Sequence, residues 1–266
     1  AMVIPAHVWT PWYAVFGARS GFDSLEACFG EHADRIAALE TGLSSDPAMN
    51  RRVSAHDRLA LVSFSDAHSP EMLGREATLL DLEEYSYARV VDALGGGAGL
   101  RGTIEFYPEQ GKYHADGHRR CGVMREPQAA GTSDDVCPIC GKRLTIGVLH
   151  RVLNLADRTA TEAEAAIQRP CRHLVPLRQI VAQALGAGGN TKRVAAAYDD
   201  VLARCGSELD VMLETPLDVL REQVSERIAQ GIDKVRRGEL RIEAGHDGIY
   251  GSVEIRFDGV SRSGPA

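Results

Sequence analysis

Two groups of residues have the types and spacing to do chemistry. The first is His118-x-x-Cys121, followed across residues 122–136 by Cys137-Pro138-Ile139-Cys140-Gly141. Each pair leaves two residues between ligands, so each can span one edge of a tetrahedron, and Gly141 permits the tight turn after the second thiol. Thiolates with an imidazole suit a structural Zn2+. The competing use of Cys-x-x-Cys, redox exchange, wants a helix N-terminus in a thioredoxin-like unit, which these flanks do not offer. The nitrogen ligand is the open choice: His118 fits the spacing, His114 could replace it, and Cys171 is a more remote substitute. Cys28 and Cys205 fall in helical, partly apolar segments and read as inert core thiols. The second group is His7, Glu40, Asp66 and His68, each at or just past the end of an apolar strand-like run. Imidazole and carboxylate together suit divalent ions (Zn2+, Mn2+, Fe2+ or Mg2+), which can lower the pKa of a bound water and hold both oxygens of a phosphoryl transfer. A structural histidine at position 7 and an ordinary Asp-x-His turn at 66–68 are the alternatives.

Basic and aromatic residues surround these groups. Lys112, Arg119, Arg120, Lys142 and Arg143 crowd the thiol motif and suit contact with a nucleic-acid backbone, or simply form a solvated face. Tyr113 and His114 could stack on or bond a base taken out of a duplex, or pack against the loop. Arg75 follows Asp66-Ala67-His68 closely and could reach a phosphate or pair with a carboxylate. Gly186-Ala187-Gly188-Gly189 leads into Asn190-Thr191-Lys192-Arg193. That is either a phosphate cradle at a helix start, with Lys192 and Arg193 beside it, or an ordinary cap by Asn190 or Thr191.

The elements that must position these residues alternate early in the chain. Residues 3–9 read as a strand, 26–29 as a short helix capped by Asp23 or Ser24, 36–39 as a strand, 48–58 as a helix, and 59–64 as a buried strand. Such alternation favours an α/β architecture with parallel strands, in which chemistry gathers at the strands' C-terminal ends. A helix over 86–94 ends at Gly95-Gly96-Gly97, the best candidate domain boundary. A strand over 100–107 and a loop-rich segment over 108–143 follow. The remainder reads as helices over 147–158, 176–185, 191–204 and 216–237, with a hairpin pairing 240–243 with 250–257 and a disordered tail over 261–266.

The chain of 266 residues carries 30 Lys and Arg against 37 Asp and Glu, a net charge of −7. Global basicity is therefore absent, and nucleic-acid binding must rest on local clusters. No apolar run reaches the roughly 18 residues a membrane span needs. The cysteine usage points to a reducing, cytoplasmic setting. A start on an apolar run carrying a His suggests that a segment lies upstream.

The fuller strings carry a resemblance. Pro5-Ala6-His7 and Ser65-Asp66-Ala67-His68-Ser69-Pro70 are similar to the last two metal-binding motifs of the PHP phosphoesterases. Residues 104–121, 137–142 and 144–151, with Pro11-Trp12 through Ser24, Leu39 through Pro47 and Asp247-Gly248-Ile249-Tyr250-Gly251, resemble the endonuclease Q family. The resemblance runs through essentially the whole chain. It implies an α/β fold in three parts: the C-terminal portion of a PHP-type distorted (β/α) barrel over 1–98, a zinc-binding domain over 99–150, and a mainly helical DNA-binding domain with a terminal hairpin over 151–266. It implies a metal-dependent endodeoxyribonuclease that hydrolyses the phosphodiester 5′ to a deaminated base (uracil, hypoxanthine, xanthine) or an abasic site. His7, Asp66 and His68 would be metal ligands, with Glu40 as a further acidic residue of the centre. His118, Cys121, Cys137 and Cys140 would hold the zinc, and Arg75, Lys112, Tyr113, His114, Arg119, Lys192 and Arg193 would contact DNA. Damaged DNA is the expected partner, alongside repair or replication proteins and no membrane. The family's opening His-x-His and second motif are absent, so the remaining metal ligands are expected upstream of residue 1.

Overall fold

The structure, a computed structural model, describes residues 1–127 and 135–257. The expected tail over 261–266 lies outside the described residues. The described chain forms two compact units, one from residues 1–172 with 243–252, the other from 173–242 with 253–257. No helix among the described residues is long and apolar enough to cross a membrane.

The first unit is mixed α/β. Helix α1 (Leu25–Phe29) begins at Ser24, whose hydroxyl accepts from the Ala27 N–H, and ends at Gly30 with φ 56°. Strands β1 (Ala38–Glu40) and β2 (Ala60–Val62) pair in parallel, Ala38 opposite Ala60 and Glu40 opposite Val62, and every residue of both is buried. Between them, α2 (Pro47–Asn50) is capped by Asp46. The helix expected over 48–58 stops there. The Arg51 guanidinium donates to the carbonyls of His56 and Leu59, folding the chain back through a 3-10 turn at Ser54–His56 toward β2.

Residues 3–9 are not a strand. Glu40 N–H donates to the Pro5 carbonyl and Val8 N–H to the Glu40 carbonyl, so the segment begins to pair with β1. Pro5 has no N–H to extend the ladder and His7 takes φ 32°, so the chain turns instead. The turn drives Val8 and Trp9 into a core with Phe16, Leu25, Ile36, Leu39, Leu59 and Val152. The Trp9 indole is satisfied inside by Asn50 Oδ1 at 2.8 Å.

Beyond β2 come β3 (Ala77–Leu80), α3 (Tyr87–Leu94, capped by Ser86) and β4 (Leu100–Glu105). A short hairpin follows, β5 (Asp116–His118) with β6 (Val123–Arg125), then α4 (Val148–Leu155), α5 (Ala160–Ala165) and β7 (Cys171–His173). Strands β3, β4 and β7 form a second sheet, with β3 antiparallel to β4. Gly95–Gly97 lies inside this unit.

The second unit holds α6 (Leu177–Leu185), α7 (Lys192–Cys205), a π-helical turn at Asp210–Glu214, α8 (Leu217–Gln223) and α9 (Glu226–Arg237). The helix expected over 216–237 is two helices. Val224 is extended, and the Ser225 hydroxyl caps α9 by accepting from Ile228 N–H. Ile180, Val181, Val194, Met212, Leu220 and Ile232 are buried. The terminal hairpin is present, pairing β8 (Leu240–Glu243) with β9 (Ser252–Ile255).

Candidate functional site

The parallel pair places the first group. Glu40 ends β1, Asp66 follows β2, and the turn after Pro5 brings His7 to Glu40. The His7 backbone N–H donates to Glu40 Oε2 at 2.7 Å, and His7 Nδ1 lies 3.7 Å from the same oxygen. The hydrogen bond that the Glu40 carboxylate accepts raises the His7 pKa against burial, and the charges of Glu40 and Asp66 add to it. His7 and Asp66 both have positive φ, 32° and 45°. Non-glycine residues held there are strained, and such strain collects at ligand and catalytic positions. Gly42 completes the arrangement: with φ 61° it passes so near that an added Cβ would meet His7 Cβ at 2.6 Å.

These residues open onto a cavity of about 300 Å³ whose wall includes His7, Glu40, Asp66, Lys112, Tyr113 and Tyr250. His68 is outside that wall, its Nδ1 lying 2.9 Å from the Asp66 carbonyl oxygen. Arg75 donates to the backbone oxygens of Ser65 (2.8 Å) and Asp66 (3.3 Å), so it straps the loop that carries Asp66. Among the described residues, His7, Glu40, Asp66 and His68 do not form a set of three or more ligand atoms within 4.8 Å of one another. Two buried carboxyls lie behind them. Burial pushes Glu76 up to about 8 and Glu105 well above the carboxylate range. Glu105 accepts from Thr41 Oγ1 at 2.9 Å, next in sequence to Glu40.

The second group is assembled. His118 at the end of β5, Cys121, Cys137 and Cys140 bring their ligand atoms within 4.8 Å of one another. His118 Nδ1 lies 3.5 Å from Cys140 Sγ. The donor set and compactness fit a tetrahedral zinc. Burial alone would raise the Cys137 thiol, but the backbone N–H groups of Cys140 and Ile139 bring it down to about 6. Burial and the neighbouring thiols push Cys121 up to about 11. Of the alternative ligands, His114 is buried and lines the cavity beside His7, and Cys171 lies near Glu105, its thiol raised by burial. Cys28 and Cys205 are only partly buried.

Several residues that matter here escaped the sequence reading. Asp116, fully buried, accepts from Gly147 N–H at 2.8 Å, contacts His150 Nδ1 at 2.7 Å and takes Arg125 at 3.3 Å, tying the zinc hairpin to the start of α4. Asp247 accepts from Arg119 N–H (2.7 Å) and Thr145 Oγ1 (2.6 Å), pinning the residue after His118. Tyr250 joins the cavity wall. Lys112 Nζ sits 5.6 Å from the Tyr113 ring centre and 5.8 Å from that of Tyr250, and Trp12 meets Tyr113 edge-on at 5.0 Å. The only sequence signal for Tyr250 was its place in the Asp247–Gly251 string. In the second unit, Lys192 and Arg193 open α7 behind Thr191, whose hydroxyl caps the helix.

The fold can be set beside known structures. The lesion-specific endonuclease PfuEndoQ from Pyrococcus furiosus superposes with a TM-score of 0.83 at 33% sequence identity, over 95% of this chain and 62% of its own. The chain is similar in fold and in sequence to endonuclease Q. A second endonuclease Q structure, solved with a 27-mer duplex substrate bearing an abasic lesion at the active site, superposes with a TM-score of 0.80 at 32% identity, over 95% of this chain and 63% of that one. By sequence, YqxK of Bacillus subtilis is 32% identical over 258 residues, covering 95% of this chain and 61% of its own length. MJ0043 of Methanocaldococcus jannaschii is 27% identical over 254 residues, covering 93% and 31%. Residues 176–239 match the family model of the MJ0043 C-terminal domain. The chain thus spans about three fifths of the endonuclease Q structures and of YqxK, and about a third of MJ0043.

Proposed function

We propose that this endonuclease Q relative is the part of a DNA-repair endonuclease that takes hold of a damaged nucleotide and contributes to cutting the phosphodiester 5′ to it. The lesion is a deaminated base (uracil, hypoxanthine or xanthine) or an abasic site. One observation carries the reading: a single cavity is walled by the strained His7 and Asp66, by Glu40, and by the Lys112–Tyr113–Tyr250 stack. Hydrolytic and base-stacking groups therefore face the same space.

The residues divide the work. Glu40 fixes the His7 turn by accepting from the His7 backbone N–H, Arg75 fixes the Asp66 loop, and Gly42 leaves room for His7. His7, Asp66 and His68 are the ligands this chain would offer to a divalent metal centre, with the rest of the shell coming from outside it. A metal bound there supplies an acidified water and charge stabilisation at phosphorus. Tyr113 and Tyr250 offer faces on which an unstacked base can rest, and Lys112 and Arg119 offer charge to flanking phosphates. In this reading residues 1–98 belong to a PHP-type barrel, 99–150 to the zinc-pinned domain, and 151–266 to a helical domain that grips DNA through Lys192 and Arg193.

The test offers uracil-containing, abasic and undamaged duplexes, and a small aryl phosphate, to the chain alone and to the chain completed with the part of PfuEndoQ that it does not cover. The proposal expects the chain to bind lesion duplex in preference to intact duplex, and the completed protein to nick it. Turnover of the aryl phosphate with no lesion preference would support a small-molecule phosphoesterase instead. Lesion binding without nicking by either form would support a zinc-pinned binding module.

A further inference from the structure

At the start of β2, away from the end that leads to Asp66, a second cavity of about 140 Å³ is walled by three arginines, Arg51, Arg58 and Arg169. Gln168, Gly96 and Thr103 add polar and small surface, and no Asp or Glu belongs to the wall. Arg51 is only 2% exposed. It donates to the carbonyls of His56 and Leu59, while its buried Nε has no protein partner. Burial lowers its pKa, with the Asp57 charge opposing and the Arg158 charge adding to the effect. Asp57 is itself engaged by Arg158 through both oxygens, at 2.7 and 2.5 Å. Arg58 spends two nitrogens on the carbonyls of Ile36 and Ala33. Arg169 is exposed and makes no hydrogen bond or ion pair among the described residues.

Three cations around a space whose wall holds no carboxylate repel one another, and an anion among them relieves that cost. We propose that this cavity is a binding site for a single phosphate-sized oxyanion, separate from the nuclease cavity. The size sets the class of ligand. At roughly 30 Å³ per water the space takes a few waters or one tetrahedral oxyanion, and it is well below the roughly 300 Å³ at which small-molecule pockets begin. A whole nucleotide does not fit. The planar fork of Arg169 suits the oxygens of phosphate or sulfate, with the charges of Arg51 and Arg58 behind it; the Gln168 amide already donates to the Asp57 carbonyl at 2.9 Å.

The experiment is titration calorimetry of the chain with inorganic phosphate at constant ionic strength, with chloride as the blank, followed by sulfate and by dAMP. Phosphate and sulfate are expected to bind with one site per chain, and dAMP no more tightly than phosphate. Arg169→Ala should weaken phosphate binding at least fivefold, Arg169→Lys less, and Arg221→Ala, in the other unit, not at all. Because Arg169 is exposed, its variants are expected to fold, and circular dichroism checks that they do. Arg51→Lys, if it folds, should also lose affinity. Absence of saturable binding at tens of millimolar phosphate, or unchanged affinity in Arg169→Ala, overturns the proposal. So does tighter binding of dAMP than of phosphate.

Discussion

Removing the metal of the zinc knot should destabilise the first unit by an amount that can be worked out in advance. Zinc bonds of about 2.3 Å to sulfur and 2.0–2.1 Å to nitrogen, arranged as a tetrahedron, put the N···S edge at about 3.6 Å. The His118 Nδ1 to Cys140 Sγ separation is 3.5 Å, so that edge already has the length the ion requires. A ligand held a thousandfold above its Kd adds about 4 kcal/mol to stability. For a unit of this size each kcal/mol moves Tm by roughly 2–4 °C, so chelation should lower Tm by about 8–16 °C. Cys140→Ser should do the same without chelator. Apparent zinc affinity should also rise with pH. Near neutrality Cys137, at about 6, is already a thiolate, but Cys121, at about 11, must give up a proton to bind. The assay is elemental zinc per chain together with thermal melts at several pH values, with and without chelator. A chain that carries no zinc, or a melt unmoved by both chelation and Cys140→Ser, would refute the reasoning.

Other outcomes follow from single groups. Asp116→Ala leaves His150 and the Gly147 N–H facing a void and should cost about 3–5 kcal/mol, as breaking a buried charged contact does; urea unfolding measures it. Glu76 is raised to about 8, so the native state keeps a proton that the unfolded chain releases near 4.5. Its stability contribution is full below the unfolded value and is lost as pH rises through 8, a fall of roughly 5 kcal/mol. Glu76→Gln should flatten that fall when unfolding at pH 5 and pH 9 is compared. Lys112→Ala should reduce the slope of log affinity for lesion duplex against log salt by about 1. Tyr113→Ala should lose about 1–3 kcal/mol of lesion binding with the salt slope unchanged. Filter binding at several salt concentrations reads both.

What the sequence revealed was mostly local. The His118/Cys121 and Cys137/Cys140 pairs announce themselves because a tetrahedral ion reads spacing directly, and the coordinates bring the four together. The runs around Leu39 and Leu61 gave buried strands because both faces are covered, and Ser86, Thr191 and the glycines after α3 and α6 marked real helix ends. The failures have physical causes. Residues 3–9 look like a strand by composition, but Pro5 and the His7 turn end the pairing after two hydrogen bonds. Strands β3, β5, β6 and β7 have three or four residues, too few for a period of two to show. Tyr250 reaches the cavity only because the chain returns to the first unit over residues 243–252. The Asp116–His150 contact joins residues 34 apart in sequence, and no local pattern encodes it.

The central claim is that the cavity shared by His7, Asp66 and Tyr113 belongs to a lesion-cutting site, and one comparison tests it most directly. A duplex with a single abasic site is incubated with Mn2+ or Zn2+ and the chain completed with the part of PfuEndoQ that it does not cover, either wild type or carrying Asp66→Asn. The account predicts one nick, 5′ to the lesion, that needs the metal and disappears with Asp66→Asn while lesion binding survives. Nicking that persists at the wild-type rate in Asp66→Asn, or a wild-type protein that leaves the lesion strand whole, would contradict it.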